Sequence, residues 1–145
     1  MAAMSLAGCS APPKAVVPVQ KFVVTSVAEC VAMAGATEAD CSGLFDAAVS
    51  AHTSKGTNYI NRRLCEAAEG PDLCERLEEK VWRPKPQAFL VVRQGPATNA
   101  SALYAGKDKT LVFRTVDATL FDPDKPEGTE FSPTAMKRLE GFGRS

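Results

Sequence analysis

Four cysteines, Cys30, Cys41, Cys65 and Cys74, fall inside residues 30–74, and they constrain the fold more than any other feature of the chain. The stretch repeats itself weakly. Cys30-Val31-Ala32-Met33-Ala34-Gly35 is followed by Cys41, and Cys65-Glu66-Ala67-Ala68-Glu69-Gly70 is followed by Cys74. In each unit a cysteine precedes a glycine suited to ending a helix, and a second cysteine follows the break. A chain of 145 residues fits one domain with a modest core, which crosslinks would reinforce. The repeat favours local pairing, Cys30 with Cys41 and Cys65 with Cys74, each clipping a helix–glycine–helix corner. Crossed pairing of the first corner with the second is the rival. Zinc ligands of this kind usually stand two to four residues apart, whereas ten and eight residues intervene here. With one histidine and no Cys-x-x-Cys pair, the chain has little material for metal or redox chemistry. The expectation is structural disulfides, with no metal, no cofactor and no catalytic residue.

Around the cysteines the pattern is that of short helices. Residues 19–25 are apolar and β-branched, a strand or extended lead-in. Ser26-Val27-Ala28-Glu29 has the form of a capping box, and the helix it opens should stop at Gly35. Thr37-Glu38-Ala39-Asp40 opens a second helix, whose Cys41, Leu44, Phe45, Ala48 and Val49 mark a buried face. Gly43 costs that helix ~1 kcal/mol relative to alanine. His52, near its end, fits a residue interacting with the helix dipole better than a catalyst. Ile60, Leu64, Cys65 and Ala68 give a third helix its stripe. Pro71 then opens a fourth through Leu73, Cys74 and Leu77.

After Arg83-Pro84-Lys85-Pro86 the period changes. Residues 87–93 form a strand apolar on both faces, hence central or covered by helices. Residues 94–101 have loop composition. Ala102-Leu103-Tyr104 and residues 110–114 flank a turn at Gly106-Lys107-Asp108, and Asp117-Ala118 leads to a return strand at Thr119-Leu120-Phe121. Residues 122–145 are charged and proline-rich at their start, the composition of a mobile arm. One helical turn is expected at Ser132-Pro133-Thr134-Ala135, and Phe121, Phe131 and Phe142 are able to pack back. The fold class is therefore α+β: a disulfide-clipped short-helix core followed by a small antiparallel β-sheet.

Lysine plus arginine equals aspartate plus glutamate at 17 each. That balance argues against nucleic acid as a partner. At the other end of the chain, Leu6-Ala7-Gly8-Cys9 resembles the lipobox of bacterial lipoproteins. The resemblance implies cleavage before Cys9 and acylation of its thiol, palmitate included. Each buried CH₂ of such chains contributes ~0.8 kcal/mol of membrane affinity. A signal peptide takes ~15–30 residues with a basic start, while only eight residues precede Cys9 and none is Lys or Arg. Residues 1–8 are then the remainder of a longer signal; the alternative is that Cys9 is a plain small thiol. Residues 9–18, with Pro12, Pro13 and Pro18, have tether composition. Ser10 after the cysteine implies, by resemblance to proteobacterial sorting, the outer membrane. An exported lipoprotein of this kind would lie in an oxidising compartment, where disulfides persist.

Taken together these parts resemble a family of bacterial envelope lipoproteins, domain of unknown function 1190. The matching elements are Cys9, Cys30, Asp40-Cys41, Ala47-Ala48, His52, Tyr59, Cys65-Glu66, Gly70 and Cys74, then Ala102-Leu103-Tyr104, Arg114 through Leu120, and Gly141-Phe142-Gly143. The resemblance implies a compartment and no chemistry. The expectation is a non-enzymatic envelope lipoprotein with residues 19–121 as its domain. It would be held to outer-membrane lipid through Cys9, with another envelope protein or a second copy of itself as partner. Two alternatives remain: a subunit of a surface assembly that uses the arm at 122–145 for contacts, and a small periplasmic redox protein.

Overall fold

The computed structural model describes residues 18–106, 112–116, 120–121 and 128–142. Cys9 and the tether up to residue 17, Lys107-Asp108, Asp117-Ala118 and the start of the expected arm at 122–127 lie outside them. In chain order the elements are β1 (Gln20–Val24), α1 (Val27–Ala34), α2 (Glu38–Lys55), α3 (Arg62–Glu69), β2 (Cys74–Glu78), β3 (Val81–Pro84), β4 (Ala88–Gln94), β5 (Ala97–Ala105), β6 (Phe113–Arg114), β7 (Leu120–Phe121), β8 (Thr129–Phe131) and α4 (Pro133–Phe142). The class is α+β, with both cysteine pairs closed locally: Cys30 with Cys41, and Cys65 with Cys74.

Six strands form one sheet in the order β7-β6-β5-β4-β1-β8. Its pairings are antiparallel except β1 with β8, which is parallel. β4 is interior, and its apolar residues serve both faces. Phe89 and Val91 join Phe22, Val24, Cys30, Cys41 and Phe45 beneath α1 and α2. Ala88 and Leu90 join Val23, Leu103 and Phe113 beneath Ala135 and Leu139 of α4. A strand covered on both sides needs a continuous apolar run rather than alternation, which is what residues 88–92 supply. Phe45 and Phe89 stack with centroids 4.1 Å apart. On the α4 side Phe142 meets Phe113 edge-on at 5.5 Å.

The first helix starts and stops where its sequence dictates. Ser26 Oγ accepts from the Glu29 N–H at 3.2 Å, and Gly35 ends α1 at φ 70°. Arg93, on β4, donates to the Ala34 carbonyl at that end. A Cβ at position 35 would lie 3.1 Å from Arg93 Nη1. Gly35→Ala is therefore expected to cost about 1–2 kcal/mol, chiefly the left-handed conformation, measured by urea unfolding.

Glu29 departs from the capping box. Its Oε1 accepts from the Thr25 N–H at 2.6 Å, the Thr25 hydroxyl at 2.8 Å and the Ser132 hydroxyl at 2.9 Å. Ser132 is fully buried and caps α4 by accepting from the Ala135 N–H at 3.0 Å. One carboxylate thus joins the end of β1, the start of α1 and the start of α4. Burial works against its charge, but the hydrogen bonds from Thr25, Ser132 and Thr134 outweigh it, so its pKa is lowered. A lowered folded pKa gives stability that is complete above the unfolded value and lost as pH falls through the folded one. Glu29→Gln is expected to remove that component. Urea midpoints of variant and wild type should differ most near neutral pH and converge in acid.

Four expectations are corrected. First, residues 71–77 are not helical: Cys74–Glu78 is β2, paired antiparallel with β3. Gly70 at φ 123° and Asp72 at φ 61° break the helix. The Cys65 bridge then turns the chain back, and Leu73, Cys74 and Leu77 form too short an apolar run to distinguish helix from strand. Second, the α3 stripe is not buried. Cys65 and Glu69 are its buried residues, while Ile60 and Leu64 are 70% and 48% exposed. Third, residues 97–101 are not loop. They continue β5 beyond a two-residue turn with Gly95 at φ 59°. Fourth, the expected arm does not extend over Thr129–Phe142. β8 pairs with β1, and Ala135 and Leu139 are core residues, so the domain runs past residue 121 and the sheet is mixed rather than antiparallel.

Candidate functional site

A group of interacting polar side chains lies at the seam between the Cys65–Cys74 unit and the main sheet. Asn61 opens α3 by accepting from the Leu64 N–H at 2.8 Å, and the helix delivers Glu69 to its buried end. Just upstream, Tyr59 makes paired backbone hydrogen bonds with Trp82 at 2.7 and 2.8 Å. This fixes the Tyr59 ring so that its hydroxyl donates to Glu69 Oε1 at 3.0 Å. Arg114, on β6, donates to Glu69 Oε2 through Nη2 and to the Ala105 carbonyl through Nε at 2.9 Å. Its guanidinium lies 5.6 Å from the centre of the Tyr104 ring, within cation–π range. Beside it Arg83 Nε donates to Glu75 Oε1 at 2.8 Å, joining β3 to β2.

Burial, then the Glu69 hydrogen bond and charge, raise the Tyr59 pKa. Burial raises that of Tyr104 further, above any physiological range. Neither phenol is poised to give up a proton near neutral pH. The depression lined by Glu69, Leu73, Tyr104 and Arg114 leaves no room for a water-sized molecule. The arrangement staples two parts of the fold together.

The second feature is an open groove of about 440 Å³ between the first half of α2 and the β4–β5 turn. Ala39, Gly43, Leu44 and Ala47 form its helical wall, Pro96 lies opposite, and Asp40 supplies a carboxylate. A Cβ at Gly43 would meet nothing within 4 Å. Among the described residues no close neighbour requires glycine there.

The four core cysteines come together as two buried disulfides. Cys9 lies outside the described residues. His52 sits in the last part of α2; its side chain is not among those described. Among the described residues no group of three or more His, Cys, Asp or Glu could hold a metal ion, and no helix is long and apolar enough to cross a membrane. The Glu69–Arg114 pair escaped the sequence because 45 residues separate its members. The groove carried one signal, Gly43 in mid-helix.

No curated protein and no solved structure matches the chain. Residues 18–131, which include both disulfides, the sheet from β1 to β8 and the Glu69–Arg114 seam, match the family described as "Protein of unknown function (DUF1190)". The chain belongs to that family.

Proposed function

We propose that this protein is a lipid-anchored component of the bacterial cell envelope, held in the outer membrane through acylated Cys9, and that it works without catalysis by binding another envelope protein or a second copy of itself. The observation that carries the proposal is the state of the cysteines. Four of them close into two buried pairs, the usage of a small domain matured in an oxidising compartment. The fifth, Cys9, stands in Leu6-Ala7-Gly8-Cys9 ahead of Pro12, Pro13 and Pro18. That is a site for acylation followed by a tether able to stand the domain off a bilayer. The non-catalytic part is supported by the seam, where the charged groups bond to one another around a space too tight for a ligand.

The test is detergent phase partition of the protein expressed with its native signal in a Gram-negative host. The expected result is recovery in the detergent phase for wild type and in the aqueous phase for Cys9→Ser. Recovery of both in the aqueous phase would sink the anchor.

A further inference from the structure

We infer that the groove beside Gly43 receives the Ile60–Leu64 ridge of a second copy of this chain, so that the protein associates head to tail. This deepens the binding role proposed above by naming the partner, and it rests on that reading. Three observations converge. The groove is concave, open and lined by small and aliphatic residues, with room that its own helix leaves unfilled at Gly43. The ridge is made of two exposed apolar side chains: Ile60, just before the Asn61 cap, and Leu64, in the first turn of α3, are the most exposed large hydrophobic residues among those described, at 70% and 48%. Neither joins a core cluster of its own chain. Charge also matches. The groove carries Asp40, and the ridge carries exposed Arg63 beside Leu64; the neighbouring Arg62 is held by Glu66 and Asp72. Large side chains docking against a small-residue helix face under one ion pair give an anchor with a polar edge.

The two surfaces belong to different elements, α2 and α3. The contact is thus heterologous, and a head-to-tail pair keeps one free groove, on one molecule, and one free ridge, on the other. This gives a signature that an isologous dimer lacks. A groove-filled variant, Gly43→Leu, and a ridge-less variant, Ile60→Ser with Leu64→Ser, should each fail to self-associate. Mixed together, they should form a one-to-one pair, because each supplies the half the other lost.

The experiment is sedimentation velocity of the full 145-residue chain with Cys9→Ser, so that neither acyl groups nor a free thiol contribute. Circular dichroism confirms each fold. Expected are concentration-dependent association of the parent, weakening by about tenfold or more in each variant, and a heterodimer on mixing. The charge pair is probed separately, and needs no folding of the Gly43→Leu variant. Asp40→Lys and Arg63→Glu should each weaken association, and their mixture should restore it. A parent that stays monomeric at high concentration overturns the inference, as does a mixture that stays monomeric or a groove-filled variant that still associates. Because the acyl group is absent throughout, failure here leaves membrane attachment untouched.

Discussion

Glu69→Ala is expected to lower the unfolding free energy by about 3–5 kcal/mol, the range for breaking a buried ion pair from one side. The Glu69 and Arg114 side chains are only 4% and 12% exposed. Without the carboxylate, Arg114 keeps the Ala105 carbonyl and the Tyr104 ring but, among the described residues, no paired counter-charge. The Tyr59 hydroxyl also loses its acceptor. Glu69→Gln, which retains one acceptor oxygen and loses the charge, should fall between wild type and alanine. Removing both partners, Glu69→Ala with Arg114→Leu, should cost less than the sum of the single changes, because no charge is left stranded. Trp82, the single tryptophan, is bonded to the Tyr59 backbone and reports this seam by fluorescence during urea unfolding. A Glu69→Ala loss below about 1 kcal/mol would place the pair with solvent-screened surface bridges.

Replacing Cys30 and Cys41 together by alanine is expected to cost roughly 2–4 kcal/mol. The loop they close is short, a separation of 11 residues, so the entropic share is modest. The rest comes from position. Both residues are fully buried in the cluster beneath α1 and α2, against Phe22, Val24, Phe45 and Val91, and truncating two sulfurs there leaves a void. The Cys65–Cys74 bridge closes a similar loop, with separation 9, at the edge of the fold. Its removal should cost less by itself but couple to Glu69, which lies within its loop. Thermal unfolding of the two double variants measures both effects. Equal losses would show that burial at Cys30 and Cys41 adds nothing to loop closure.

The parts legible in the sequence are those set by local chemistry. Ser26, Gly35 and Thr37 place the ends of α1 and the start of α2 because a cap is decided by residues within four positions. The repeat favoured pairing of each cysteine with its neighbour over crossed pairing, and the continuous apolar run at 88–92 marked a strand covered on both faces. What failed depended on distant parts of the chain. Cys74 and Leu77 became strand because β3 and the Cys65 bridge were there to receive them. Thr129–Phe131 had charged and proline-rich neighbours, yet β1 offered a parallel edge and the Ser132–Glu29 bond fixed α4 behind it. Ile60 and Leu64 have helical spacing, but α3 turns its Cys65–Glu69 face inward instead.

The measurement that tests the account most directly is the intact mass of the protein purified from the cells that make it, denatured and alkylated without reductant. The account predicts a chain beginning at Cys9 with added acyl mass and no alkyl label, all four remaining cysteines being paired. A chain beginning upstream of Cys9, without acyl mass and with several labelled thiols, would contradict both the anchor and the compartment.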